Sequence, residues 1–412
     1  MLNFWFNIPL WQRVVGALAL GIVTGLLWGP GAENIKWVGD LFIRAIKMLI
    51  VPLIFFSLVS GIAALGDLKK FGDVGGKALL LFLATGAISV SLGLTMGTIF
   101  QPGVGLDIVM PTGIDIPAPA STSITQMILS LIPESPVMTM AQGQILPLII
   151  FAMLFGVALL MAGEEAAPIV RAADAGALVM QKMTILVMEL TPFGVFALMA
   201  WVAGSFGFEA LVPLAKMVAL NYAGCFIIIL VVYPIIIKGI AKLSLADFFR
   251  GIIDAQAVAF STASSNAALP VTLRCMQRNL GVSKSVSSFT VALGATINMD
   301  GTAMYLGLVA LFGAQLYGIE LSWMSYVLIA LTATLGSVGA AGIPGSGLIM
   351  MSLVLSVIGV PLETIAFVAG INHIMDMMRT MTNVTGDATV SVAVARMAGE
   401  IDVEEYDSDD DI

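Results

Sequence analysis

The chain has 412 residues, 59% hydrophobic and only 11% charged, against roughly 25% charged in a soluble globular domain, so a water-soluble fold is excluded. The formal charge of −9 belongs to one end, where Asp402, Glu404, Glu405, Asp407, Asp409, Asp410 and Asp411 crowd together; it marks a tail and selects no nucleic acid or other partner for the nearly neutral body. Cys225 and Cys275 lie far apart without a CxxC pair, and His373 is the only histidine, which indicates neither a disulfide framework nor a histidine zinc site.

In chain order, Trp5, Phe6 and Trp11 are spaced like interface anchors ahead of the first apolar run. No small-residue cleavage site follows that run, so the first helix is expected to be retained. Runs able to cross ~30 Å of hydrocarbon as ~20 helical residues fall at 12–28, 38–64, 75–100, 145–162, 176–202, 210–237, 285–316 and 364–396. A weaker segment at 122–143, broken by Pro133 and Pro136, reads as a bent lead-in to the fourth span. The stretches 248–280 and 323–360 are interrupted in the middle by small and polar residues and by proline, the pattern of hairpins that enter and leave on one side. The expected fold class is an all-α membrane protein with eight transmembrane helices and two re-entrant helical hairpins.

Lys69, Lys70 and Lys77 lie between the second and third spans, Lys238, Lys242 and Arg250 precede the first hairpin, and Arg274, Arg278 and Lys284 follow it. The loops 101–121, 203–209 and 317–322 hold no base. Because basic loops stay cytoplasmic, both termini are expected inside, with the first hairpin dipping in from the cytoplasm and the second from outside. Pro270 precedes Asp300 by 30 residues and Pro344 precedes Asp376 by 32, so a hairpin-plus-span unit repeats with inverted topology. Transporters built this way hold their solute near the midplane.

Charges deep in apolar spans cost at least ~2.5–3.5 kcal/mol each on insertion scales, yet Asp300, Asp376, Arg379 and Asp387 lie inside the last two spans. They must pair with one another or bind something; a purely structural salt network is the competing reading, and desolvation makes it a poor stabiliser. Asp376, Arg379, Thr380, Asn383 and Asp387 stand at i, i+3, i+4, i+7 and i+11, one stripe of a helix. The stripe suits a zwitterion with an extra carboxylate: Arg379 would clamp that carboxylate, Asp376 would accept the ammonium, and Thr380 and Asn383 would fix orientation. Asp387 is better placed for a cation. The run Asn298-Met299-Asp300-Gly301-Thr302 breaks the seventh span, where an unwound turn frees carbonyl oxygens, hard ligands for an alkali cation; a local kink with Asp300 solvated by a cavity is the alternative. The tips at 261–270 and 339–347 offer backbone N–H groups to an anion, and its glycines make the second either the gate or a plain tight turn.

The serine-rich tip ending in Leu269-Pro270, the break from Asn298 to Thr302, the Gly342-Ile343-Pro344-Gly345 tip and the stripe from Asp376 to Asp387 together resemble the dicarboxylate/amino acid:cation symporter family, which includes the excitatory amino acid transporters and archaeal aspartate transporters. The resemblance covers essentially the whole chain. It implies a glutamate transporter fold in a prokaryotic inner membrane, no enzyme and no cofactor, and symport of aspartate or glutamate with sodium by an elevator mechanism in a homotrimer. It implies a trimerisation scaffold at 1–70 and 111–205 and a transport domain at 71–110 and 206–397 with hairpins 245–280 and 323–360; the run of like charges makes 398–412 an expected disordered acidic cytoplasmic tail.

By the same resemblance, substrate is held by Ser264, Ser265, Thr302, Gly342, Ile343, Asp376, Arg379, Thr380 and Asn383. One sodium site would use Gly294, Asn298, Asn383 and Asp387, a second Thr296, Met299 and carbonyls at Ser337, Val338 and Ala340, and a third Thr85, Asn298 and Asp300. The chain departs from the family pattern where Phe82 and Gly86 replace a sodium-binding Tyr and Ser, and where Leu306 replaces the Glu of proton-carrying animal members. Ala263 and Met377 stand where an extra Arg occurs, and Asn372 where a supporting Asp is usual. These departures leave sodium or proton coupling open, and a C4-dicarboxylate or neutral amino acid symporter is the alternative. A channel would need a continuous polar pore, and an intramembrane enzyme a Ser/His or paired-Asp arrangement at catalytic spacing; neither accompanies these motifs.

Overall fold

A computed structural model describes residues 8–64, 73–105, 129, 132–338, 342 and 345–408. Among them the chain is helical, with one isolated bridge between Val282 and Ile401 and no strand. Helices α1 (Leu10–Trp28), α2 (Lys36–Ala64), α3 (Asp73–Phe100) and α5 (Ile145–Ala162) fall on the expected runs. The described part of the lead-in is the short α4 (Pro136–Gln142), capped by Ser135, whose side chain accepts from the Met138 N–H.

The expected span 176–202 is corrected to two helices, α6 (Ala167–Met188) and α7 (Thr191–Phe206). Pro192 cannot continue a hydrogen-bond ladder but fits the first turn of a new helix. Glu189 at this junction is held by Arg13 of α1 through hydrogen bonds of 2.7 and 3.2 Å. Gly21 lies against Phe196 and Gly25 against Ala200, so α1 and α7 run parallel and the α6–α7 junction is on the N-terminal side of the chain.

Helix α8 (Leu211–Ala241) loosens into π-turns at Ile228–Val232 and Ile237–Ala241. They flank Tyr233 and Pro234, whose missing N–H interrupts the regular ladder. The first hairpin is α9 (Leu245–Thr262) and α10 (Ser265–Arg274), the latter extended by a π-turn at Cys275–Asn279, and its two arms pack together. The turn lies at Ala263, with φ of +50°, and Ser264; Pro270 sits inside α10. Next, α11 (Lys284–Ile297) and α12 (Asp300–Leu316) are separated by Asn298 and Met299, the expected break. The second hairpin is α13 (Trp323–Val338) packed on α14 (Ser346–Val357), and α15 (Thr364–Ala398) follows.

Five segments, Leu10–Ala63, Asp73–Phe100, Pro147–Met188, Leu211–Ala241 and Lys284–Leu316, are long and apolar enough to cross a membrane. Helix α15 has 35 residues and is absent from that set because its polar stripe dilutes the apolar residues. It is buried along nearly its whole length, as a helix carrying charges must be when it stands in lipid. Helices α1, α2, α5, α6 and α7 pack on one another; α3 and α8 to α15 form a second group around α12 and α15; α7 and α1 touch α15, and α14 touches α2. Cys225 and Cys275 are buried packing residues.

The expected disorder of the tail from 398 is corrected for its described part. The Asp402 N–H donates to the Gly281 carbonyl at 2.8 Å and the Ser283 N–H to Glu400 at 3.0 Å. Asp402 caps α16 (Val403–Tyr406), and the buried Tyr406 hydroxyl donates to the Ser244 carbonyl at 2.7 Å. Burial first, then nearby Asp247 and Asp407, push the Tyr406 phenol above its ordinary pKa, so it remains a donor. Ile401, Val403 and Tyr406 pack against Phe248, Leu280 and Val282 at the foot of the first hairpin. Truncating a buried aromatic to Ala costs ~3–5 kcal/mol; Tyr406→Ala is expected to lower the thermal midpoint of the detergent-solubilised protein, read by scanning fluorimetry, and to leave solute affinity unchanged.

Candidate functional site

The site is built from interrupted helices. Helix α10 begins at Ser265, α12 at Asp300 and α14 at Ser346, and each start presents N–H groups that the helix itself does not pair, at the positive end of a helix dipole. The two hairpin tips meet on one carbonyl: Ser264 Oγ donates to Gly342 O at 2.9 Å and the Asn266 N–H donates to the same oxygen at 3.0 Å. Ser264 Oγ also accepts from the Ala267 N–H, capping α10, and Ser265 beside it is buried.

The stripe of α15 lies at this junction, and Asp376, Arg379, Thr380, Asn383 and Asp387 are all buried. Arg379 Nη2 donates to Asp376 Oδ1 at 2.7 Å and to Asn372 Oδ1 at 3.0 Å. The guanidinium carbon stands 3.9 Å from the Tyr305 ring centre, within cation–π range. Arg379 Nε and Nη1 have no hydrogen-bond partner among the described residues. Asp376 Oδ2 accepts from the Gly345 N–H at 2.8 Å, tying the second tip to the stripe. Two glycines permit this packing: a Cβ at Gly301 would lie 2.6 Å from the Arg379 carbonyl oxygen, and one at Gly347 would lie 2.8 Å from Arg379 Nη2. The Gly301 N–H, otherwise orphaned at the start of α12, donates to Asn383 Oδ1 at 2.8 Å. Asn383 Nδ2 is 3.2 Å from the Met299 sulfur and 3.5 Å from Thr302 Oγ1.

Further along the stripe, Asp387 Oδ1 accepts from Asn298 Nδ2 at 3.0 Å, and its carboxylate fits only because Gly294 opposite has no side chain. Thr85 Oγ1 reaches Asn298 Oδ1 at 3.4 Å. Asp300 Oδ2 accepts from Tyr233 at 2.8 Å, whereas its Oδ1 is unpartnered among the described residues and lies 3.8 Å from where a Gly86 Cβ would be. Phe82 packs among Ala78, Leu293, Ile297, Val390 and Val394. Thr296 and Ser337 each bond a carbonyl of their own helix, at Leu293 and Thr334; α13, which Val338 closes, packs on α11. Ile343 and Ala340 lie outside the described residues.

The geometry therefore links Ser264 to Gly342, Asp376 to Arg379 and Gly345, and Asn383 to Gly301, joins Thr85, Asn298 and Asp387, and bonds Asp300 to Tyr233. Tyr233 and Tyr305 belong to these networks and were not among the residues singled out from sequence. Each is one aromatic in an apolar run, and the only local mark is Pro234 beside Tyr233. Asp300, Asp376 and Asp387 against Arg379 give the buried cluster a formal charge of −2, so oxygen-rich pockets beside the guanidinium favour cations as much as the guanidinium favours an anion. Among the described residues no three acidic, histidine or cysteine side chains converge closely enough to hold one metal ion between them, and the donor set of carbonyls, amides and single carboxylates suits a hard monovalent cation.

Comparison with known proteins agrees with this chemistry. The sequence model of the Sodium:dicarboxylate symporter family matches residues 10–397. A proton/sodium-glutamate symport protein of Geobacillus stearothermophilus is 35% identical over 96% of this chain and 95% of its own length. A proton/glutamate-aspartate symporter of Escherichia coli is 36% identical over 98% of this chain and 95% of its own. A C4-dicarboxylate transport protein of Rhizobium johnstonii is 35% identical over 96% of this chain and 90% of its own.

Proposed function

Because the chain belongs to the sodium:dicarboxylate symporter family, whose members are secondary transporters and not enzymes, we propose that it imports an acidic amino acid, aspartate or glutamate, together with cations, sodium foremost. The observation that carries this reading is Arg379: fully buried, paired with Asp376, and still holding donors on two nitrogens among the described residues. A solute carboxylate satisfies those donors, and Asp376 takes the ammonium in exchange for its bond to Arg379. Thr302, Thr380, Asn383 and the tips at Ser264, Ser265 and Gly342 complete the cage.

The charge count supports cation coupling. The cluster stands at −2 and an acidic amino acid adds −1, so neutrality inside the bilayer takes three monovalent cations. Asn298, Gly294, Asn383 and Asp387 frame one place for them, and Thr85 with Asn298 and Asp300 another, the latter lined by fewer oxygens because of Phe82 and Gly86. Thr296, Met299 and the carbonyls of Ser337 and Val338 are assigned to the remaining one. Protons are the alternative where oxygen ligands run short.

We assign the scaffold to 1–70 and 111–205 and the moving part to 71–110 and 206–397, a division that the two packing groups support; the homotrimer and the elevator motion are taken from what is typical of the family. Gly345 of the second tip lies against Met188 at the α6–α7 junction, on the N-terminal side, so with a cytoplasmic N-terminus the site stands at the inner end of its travel.

Relatives named for glutamate and for C4-dicarboxylates are about equally similar, and Asp376 supports the amino acid, since a dicarboxylate has no ammonium to place there. Asp376→Asn is expected to weaken competition by aspartate and glutamate at least about thirtyfold, roughly one lost charge-assisted bond of ~2 kcal/mol, and that by succinate and fumarate far less. Equal losses for both solute classes in a proteoliposome uptake assay would remove the case for an amino acid.

A further inference from the structure

At the end of the chain opposite the hairpin tips, the start of α2 faces the end of α7 and the start of α15 across a cleft of about 270 Å³. Lys36, Arg44 and Lys47 line it, with Asp40, Glu363 and Trp201. Lys36, Asp40, Arg44 and Lys47 stand at i, i+4, i+8 and i+11, one stripe of α2. That spacing would let Asp40 pair with either neighbour, yet none of the three bases forms an ion pair among the described residues. The Lys36 ammonium stands instead 4.4 Å from the Trp201 ring centre. Helix α15 begins at this cleft, and its dipole adds to the positive potential there.

Three bases here run against the bias that keeps Lys and Arg cytoplasmic, because with a cytoplasmic N-terminus this end of α2 is the outer one. Helix α2 has 29 residues, ~44 Å at ~1.5 Å each, against ~30 Å of hydrocarbon. Its first turns therefore overhang at headgroup level. On the neighbouring stripe of the same helix Trp37, Leu41 and Met48 are exposed in the single chain.

We propose that this cleft is a second binding site, separate from the solute site, for a phosphate oxyanion: the headgroup of an acidic phospholipid or free phosphate. The anion sits among Lys36, Arg44 and Lys47 on α2.

The test is retention of phosphatidylglycerol by protein in phosphatidylcholine nanodiscs, counted by native mass spectrometry, beside equilibrium dialysis of labelled inorganic phosphate against discs of phosphatidylcholine alone. Near-surface bases contribute roughly fivefold each to acidic-lipid affinity, so K36Q/R44Q/K47Q is expected to lose about a hundredfold and the single R44Q about fivefold. R274Q, which alters an exposed ion pair elsewhere, is expected to match wild type. Aspartate binding by the triple variant shows that it is folded; if it is not folded, R44Q and K47Q singly carry the test. Phosphatidylglycerol retained and phosphate not bound assigns the headgroup; phosphate bound and displaced by phosphatidylglycerol assigns the same cleft to both. Wild-type retention by the variants, or no binding of either probe by wild type, overturns the proposal.

Discussion

Arg379→Gln is expected to abolish transport of acidic amino acids at micromolar concentrations, with apparent affinity for aspartate reduced at least about a hundredfold. The guanidinium is buried, and removing one partner of a buried ion pair costs ~3–5 kcal/mol, or about two to three and a half orders of magnitude at ~1.4 kcal/mol per decade. The loss falls on the solute's side-chain carboxylate, so serine, which has only the α-carboxylate, is expected to change by less than about tenfold on the same charge-assisted-bond argument. Lys in place of Arg379 is a poor rescue, because a point charge cannot reproduce a planar fork packed over Tyr305. Competition binding with aspartate and serine on variants that elute like wild type checks both statements. Parallel losses for the two solutes would show that Arg379 holds the fold together and does not read the carboxylate.

Asp387→Asn is expected to act on the cation. The substitution keeps the shape that Asn298 and Gly294 accommodate and removes one buried charge, and a unit charge ~4 Å away is worth about 4 kcal/mol at an effective dielectric constant of ~20. The sodium concentration giving half-maximal aspartate binding is expected to rise at least about tenfold, with affinity recovering toward wild type as sodium is raised. Aspartate titrations across a sodium series provide the check. An unchanged sodium dependence would place the coupled cation away from Asn298 and Asp387.

Much of this arrangement is legible in the residues because lipid punishes polar groups so heavily. A stripe from Asp376 to Asp387 within an apolar run has to face the protein interior, and Asn298 to Thr302 signals a broken helix through Asp, Asn and Gly together. The failures have equally local causes. The run through Glu189 and Leu190 is apolar enough to pass for one span, although Pro192 marks the new helix. The tail was read by its charges, while Ile401, Val403 and Tyr406 among them are the residues that dock it. Tyr233 and Tyr305 carry no pattern at all: their partners, Asp300 and Arg379, come from other turns and helices, and only the folded chain brings them together.

The account stands or falls on the buried charges being neutralised by a solute anion and its cations. Calorimetric titration of aspartate into the purified protein, in sodium and in a sodium-free choline buffer, tests this most directly. Saturable binding in sodium, weakened by orders of magnitude in choline and lost in Arg379→Gln, is the predicted result. Aspartate binding that is indifferent both to sodium and to Arg379 would contradict it.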